Sequence, residues 1–252
     1  MRFTGKVALI TGAARGIGAA TAEVLAAEGA ALALNDVNEA ALRDTESTLR
    51  RHGNTVSCHI GSVTDPAFVR RMVGEATAIH GKVDLLANNA GGGPPGVPWS
   101  EFADGRMEDF RAIFELNFFS QAMVLHALLP GMLERGYGKV VCVSSISASL
   151  GQEAGSAYAA GKMALHGLVS SVAKEVARSG VNINAVILGN PPHPSRTEGR
   201  QDYLNKLSHM GRVGRLEEFG KAIAFLLSDD ASYMSGAAIP IEGGLLTPRL
   251  NE

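Results

Sequence analysis

Cysteine is almost missing from these 252 residues: Cys58 and Cys142 stand far apart, with no second Cys or His at metal-ligand spacing. That excludes a disulfide framework and a thiolate metal site, so both thiols read as small buried hydrophobes. Aromatic residues are scarce at 6%, and Trp99 is the only tryptophan. An excess of either charge is lacking as well. The 23 basic and 25 acidic residues give a formal net charge of -2, with no basic block to track a phosphate backbone and no acidic tail. Nucleic acid and membrane are therefore not expected partners. The N-terminal "MRFTGKVALITG" holds a five-residue apolar run, too short for the core of a signal peptide, and no later run reads as membrane-spanning. A cytoplasmic location is expected by default.

What the chain does have is 46% hydrophobic and 19% charged residues, enough to bury a full core. Short apolar runs begin at Val7, Ala31, Val56, Val83, Lys139, Val181 and Ala237, and amphipathic or Ala-rich stretches of helical length separate them. Strands of this kind, apolar on both faces and alternating with helices, predict an α/β fold. The expectation is a single doubly wound domain over residues 1–252, with a seven-stranded parallel sheet and helices on both faces. Two Gly/Pro-rich stretches, "AGGGPPGVP" and "LGNPPHPS", directly follow strands. Ligands of open α/β sheets bind beyond the carboxyl ends of the strands, so both loops are expected to line a site.

"TGAARGIG", from Thr11 to Gly18, joins the first strand to a helix beginning near Ile17. Gly12, Gly16 and Gly18 allow a tight turn, close approach of backbone N–H groups to a pyrophosphate, and close packing of the helix. Asp36 closes the second strand, 24 residues after Gly12. A carboxylate there accepts hydrogen bonds from an adenosine ribose and repels a 2′-phosphate, which points to NAD. Arg15, inside the loop, argues the other way, because a guanidinium attracts that phosphate.

"SAYAAGK" places Tyr158 four residues before Lys162, on one face of a helix. With the glycine loop in hand, this pair resembles the tyrosine-lysine signature of the short-chain dehydrogenase/reductase family, and the resemblance covers nearly the whole chain. "NNAG" at 88 to 91 resembles the family's strand-four motif, Asn117 in "FELNFF" its helix asparagine, and Ser145, thirteen residues before Tyr158, its serine. "GRVGRLEEFGKAIAFLLSDDASYMSG" resembles its C-terminal region. The resemblance implies a Rossmann-type fold and a catalytic set of Asn117, Ser145, Tyr158 and Lys162. It also implies cofactor contacts from Gly12, Arg15, Gly16, Ile17, Gly18, Asp36, Ser62, Val63, Asn88, Asn89, Ala90, Gly91, Tyr158, Lys162 and Gly189, and a homo-oligomer, commonly a tetramer. No metal is implied.

Hydride transfer between an alcohol carbon and nicotinamide requires a proton to leave or join the substrate oxygen. Tyr158 is the candidate acid-base, and its phenol, near pKa 10 when free, must be lowered by nearby positive charge. Lys162 and the oxidised nicotinamide ring are the expected sources. Ser145 would hold the substrate oxygen, and Asn117, by resemblance, a water that connects the lysine to solvent.

The pattern departs from the family in places. Leu188 stands where a proline is usual and His193 where a threonine touches the carboxamide; His193, Ser195 or Thr197 is expected to replace that contact, or the loop to be rearranged. Ser62 replaces an adenine-binding aspartate, and Asp65 reads as a helix N-cap. Residues about 190 to 212 correspond to the substrate-covering loop and helix, where Arg196 and Arg200 would favour a polar or anionic substrate. Trp99 either touches substrate or packs. The leading expectation is an NAD-dependent dehydrogenase interconverting a secondary alcohol and a ketone. The alternatives are an NADP-dependent carbonyl or 3-oxoacyl thioester reductase and a non-catalytic cofactor-binding sensor or assembly protein.

Overall fold

The computed structural model describes residues 1–192 and 198–248. His193, Ser195, Arg196 and Thr197, with the expectations attached to them, lie outside the described residues. All seven apolar runs form strands: β1 (Val7–Thr11), β2 (Ala31–Asp36), β3 (Val56–Ile60), β4 (Leu85–Asn88), β5 (Gly138–Ser145), β6 (Val181–Leu188) and β7 (Ala238–Ile241). They make one sheet in the order β3-β2-β1-β4-β5-β6-β7, every neighbouring pair parallel.

Alternation along the strands divides the core in two. Ala8 and Ile10 face one layer, with Leu25 of α1 (Gly16–Ala27), Leu42 of α2 (Glu39–Leu49) and Ile223 of α9 (Leu216–Leu227). Val7 and Leu9 face the other, with Met72 of α3 (Pro66–His80), Val124 of α5 (Ser120–Glu134) and Val169 of α7 (Ser156–Val176). Burying a side chain such as Leu9 contributes about 1.5–3 kcal/mol. Asp65 caps α3 as expected, its carboxylate accepting from Ala67 N at 2.8 Å with Pro66 at the first helical position. The remaining helices among the described residues are α4 (Met107–Phe114), α6 (Ser147–Leu150) and α8 (Glu198–Leu207).

One expectation is corrected. Helix α4, a π-helical turn at Glu115–Phe119 and α5 run on as one rod, Met107–Glu134, which is long and apolar enough to cross a membrane by length and composition. Uncharged polar residues hid this in the sequence: residues 116–133 hold no Asp, Glu, Lys or Arg, but Asn117, Ser120, Gln121 and His126 and the Pro130–Gly131 pair break the stretch into short apolar pieces. Its buried side chains, Ile113, Asn117, Val124, Leu128 and Met132 among them, belong to the protein interior.

The order of strands reverses at β1, which connects onward to β2 on one side and pairs with β4 on the other. A crevice opens there at the carboxyl ends. Thr11 stitches its walls together, its Oγ1 accepting from the N–H groups of Asn89 and Ala90, both at 3.0 Å. On the far side α1 and α9 cross so closely that a Cβ on Gly220 would stand 2.8 Å from the Ala20 carbonyl oxygen. Gly220→Val is expected to lower stability by about 1–3 kcal/mol through this overpacking, read as a lower denaturation midpoint; an unchanged midpoint would show that the two helices can move apart freely.

Candidate active site

The loop after β1 has the backbone its glycines suggest. Gly12 and Gly16 adopt φ +64° and +61°, in the left-handed region. A Cβ on Gly12 would press on Asn89 Nδ2 at 3.0 Å and Ala90 Cα at 3.1 Å, and one on Gly18 would run into the Gly12 carbonyl oxygen. The loop is thus packed from below, while Gly16 has open space around it and stands at the N-terminus of α1, where the dipole favours an anion. Arg15 is exposed at the cap position and Ile17 half-buried.

Asp36 closes the crevice at the end of β2. Its Oδ2 accepts from Ala14 N at 3.1 Å and its Oδ1 from Asn38 N at 3.0 Å. Each oxygen retains a lone pair, so the carboxylate is fixed in place with acceptor capacity to spare. Beyond β3, the Ser62 hydroxyl closes a local turn with Thr64 Oγ1 at 2.7 Å, and Val63 is buried in the apolar layer. Beyond β4, the Asn88 and Asn89 side chains are tied to Gln121 O and to the carbonyls of Thr11 and Gly12, respectively. Gly189, past β6, donates its N–H to Ile241 O at 3.0 Å. An anion-favouring helix end, an open glycine and a held carboxylate fit a dinucleotide.

Tyr158, Lys162, Ser145 and Asn117 come together beside this crevice. Ser145, at the end of β5, is the side chain that acts on the Tyr158 phenol, and its hydroxyl is held in place by Ser147, donating to Ser147 Oγ at 3.3 Å and accepting from Ser147 N at 3.2 Å. Lys162, one turn on in α7, is 2% exposed and donates from Nζ to Val143 O at 2.8 Å. The carbonyl is available because β4 stops at Asn88, opposite Cys142, while β5 continues past it. Asn117 is fully buried: its Oδ1 accepts from Gly92 N at 2.8 Å, and its Nδ2 donates to Gly92 O at 2.8 Å and Ile113 O at 2.7 Å. By taking the carbonyl four residues back, that amide opens the helical ladder into the π turn. A Cβ on Gly91 would lie 2.8 Å from both Asn117 Oδ1 and Lys162 Nζ. Glycine there makes room for the buried ammonium.

The electrostatics correct the expectation for Tyr158. Burial pushes the phenol above 10, and only the neighbouring Ser145 hydroxyl pulls the other way. Lys162 does not offset this, because its Nζ turns to the Val143 carbonyl and lies 5.7 Å from the phenol ring centre. Burial also brings Lys162 down from 10.5 to about 8.

The sequence reading left out three neighbours of this group. Gln121, fully buried, donates to Val143 O at 3.1 Å, sharing that carbonyl with Lys162. Its Oε1 is the buried side-chain atom without a partner among the described residues. Ser144 donates to Lys162 O at 2.9 Å, so His166, 2.9 Å away through Nε2, must donate to the Ser144 oxygen. These residues carry no sequence signal beyond being polar between apolar neighbours. Trp99 stands edge-on to Tyr158, ring centres 5.5 Å apart and planes at 62°. As the sole tryptophan, following a Gly/Pro-rich loop, it was legible as a candidate. Tyr158 lines neither of two shallow hollows, one bounded by Ser100, Phe110 and Ala157 and the other by Leu204, Phe219 and Glu242.

Comparison with known proteins was made against this geometry. A family model described as enoyl-(acyl carrier protein) reductase matches residues 12–246. Cis-4-hydroxycyclohexanecarboxylate dehydrogenase of Sinomonas cyclohexanicum is 37% identical, the alignment covering 96% of this chain and 97% of that one. The 3-oxoacyl-[acyl-carrier-protein] reductase FabG of Escherichia coli (strain K12) is 32% identical, over 97% and 99%. Cyclohexanol dehydrogenase of Acinetobacter sp. (strain SE19) is 32% identical, over 96% and 95%. Among solved structures, NAD+-bound xylitol dehydrogenase superposes with a TM-score of 0.91 at 30% identity, over 97% of this chain and 100% of that one.

The buried ammonium implies a pH signature. The unfolded chain keeps the Lys162 proton up to 10.5 and the folded protein loses it near 8, so the unfolded state binds more protons in between and stability rises with pH there. Across that window the wild type should gain up to about 3 kcal/mol on Lys162→Met. Denaturation curves for both proteins between pH 7 and 10.5 measure it; parallel dependence on pH would show that burial does not strain the ammonium.

Proposed function

The chain belongs to the short-chain dehydrogenase/reductase family, and from that membership we propose that it is an NAD-dependent oxidoreductase interconverting a secondary alcohol on a carbocyclic ring with the corresponding ketone. The observation that carries the reading is the meeting of Tyr158, Ser145 and Lys162 at the carboxyl end of β5, beside the glycine loop. Ring substrates are supported by the names of two relatives, which act on hydroxycyclohexanecarboxylate and cyclohexanol. NAD is supported by Asp36 and by the NAD+-bound neighbour.

Gly12, Gly16 and Gly18 would hold the pyrophosphate at the start of α1, Asp36 the adenosine ribose, and Ser62, Val63, Asn89, Ala90, Gly91 and Gly189 the remaining walls. Bound there, the cofactor supplies a hydride acceptor and, in its oxidised form, a positive charge near the phenol. Ser145 holds the substrate oxygen against Tyr158. Tyr158, protonated at neutral pH by its burial, would donate a proton to a ketone oxygen and, in the oxidative direction, would take the proton of the alcohol. Lys162 holds the protein end of the proton path, and Asn117 fixes Gly92 and the π turn around it. Residues 1–252 would act as one domain, in the cytoplasm, as a homotetramer built on α7, on the helix before it and on the C-terminal strand region around β7.

A second reading, an NADP-dependent reductase of an acyl-carrier thioester, is supported by the FabG relative and by exposed Arg15 at the loop. Asp36 separates the two. Removing an acceptor of ribose hydroxyls in Asp36→Ala should shift the NAD:NADP ratio of kcat/KM toward NADP by about ten- to a hundredfold; an unmoved ratio takes Asp36 out of the ribose site. Tyr158→Phe is expected to cut NAD reduction with cyclohexanol by roughly 10²–10⁴-fold while NAD binding, followed by calorimetry, persists. Most of the rate surviving would remove Tyr158 from the acid-base role.

A further inference from the structure

Trp99 is anchored without being buried. It follows the Gly/Pro-rich loop beyond β4 and is 41% exposed, so its ring is not spent on the core. Yet it is held: Gly93 lets the indole come in so close that a Cβ there would lie 2.7 Å from Nε1. The held ring stands edge-on to Tyr158, with 5.5 Å between centres. A shallow hollow beside it is lined by Pro98 and Ser100, on either side of Trp99, and by Ser156 and Ala157, just before Tyr158. Trp99 and Tyr158 therefore stand at the rim of that hollow, in contact with each other and each next in sequence to residues that line it.

We propose that Trp99 is a specificity-determining residue: its indole is the wall against which a saturated six-membered ring lies while the carbon bearing its oxygen is presented to Tyr158. This deepens the alcohol-ketone reading above and rests on it. The chemistry favours a ring. A flat aromatic wall at fixed distance from the reacting oxygen matches a compact apolar body that is itself rigid, and such a body loses little conformational freedom on docking. A flexible open-chain alcohol must order several torsions to cover the same area and gains less. Fixing the wall through Gly93 sets the distance, so the selection is one of shape as well as of apolar area.

The test compares wild type, Trp99→Ala and Trp99→Phe with saturating NAD, using cyclohexanol and 2-hexanol as the probes. The wild type is expected to favour cyclohexanol in kcat/KM, and Trp99→Ala to reduce the cyclohexanol:2-hexanol ratio by about tenfold. Trp99→Phe, which restores a flat wall, should recover most of it. Because Trp99 is the sole tryptophan, cyclohexanone added to the NAD-loaded wild type should also change its intrinsic emission, with 2-hexanone less effective at equal concentration. A ratio that Trp99→Ala leaves unmoved, or a wild type with no ring preference, overturns the role of Trp99 while the dehydrogenase reading stands. No turnover of either alcohol by the wild type overturns both.

Discussion

The Lys162 ammonium on the Val143 carbonyl is the contact around which the candidate site is arranged. It is a cation almost removed from water, and it has no carboxylate partner among the described residues. A charge so placed lowers its own pKa unless polar groups close around it. Each neighbouring departure from ordinary packing follows from this. Strand β5 outruns β4 and leaves a carbonyl open; Gly91 gives up a side chain; Gln121 donates to the same carbonyl; Ser144 holds the lysine's own backbone oxygen. The cost of the buried ammonium is not removed by these contacts, as its pKa near 8 records. It is confined to a small volume between β5 and α7.

The rest of the sheet serves to bring that volume up to the glycine loop. Thr11 does most of the joining, since its one side-chain oxygen accepts from two successive N–H groups beyond β4 and so fixes the distance between the two halves of the crevice. Asn88 and Asn89 extend the same seam to Gln121 on one side and to Gly12 on the other. The cofactor-loop side and the Tyr158 side are therefore linked by hydrogen bonds within a few residues, without passing through the apolar layers.

Much of this was legible in the chain, and for a physical reason. Parallel strands buried on both faces read as uninterrupted apolar runs, and all seven of them, from "VALIT" to "AIPI", are where those runs stand. The glycine loop, Asp36, Ser145, Tyr158 and Lys162 announce themselves by spacing, since each is placed by regular structure on which neighbours in sequence are neighbours in space. What spacing does not reveal is solvation. The phenol was expected to be lowered by its lysine, and burial raises it, because the ammonium's direction is set by a carbonyl 19 positions away in β5. Gln121 and His166 were invisible for a similar reason: a polar residue between apolar ones reads as surface until its partners across the fold are known. The apolar rod from Met107 to Glu134 was missed because Asn117, Ser120, Gln121, His126 and the Pro130–Gly131 pair divide its charge-free stretch, residues 116–133, into short apolar pieces.

The π turn at Glu115–Phe119 also sets a phase. One extra residue held in a helical turn rotates everything after it by about 100° relative to a regular helix. Ahead of the turn Ile113 points inward; after it Gln121, Val124 and Leu128 do so. The inward face therefore runs on through the rod, and Asn117, by taking the Ile113 carbonyl, holds the wide turn that takes up the extra residue. Loss of a single residue from the turn would close the rod into a plain α-helix. Gln121 would then keep its place on the Val143 carbonyl, because the residue removed is the one the wide turn had already absorbed.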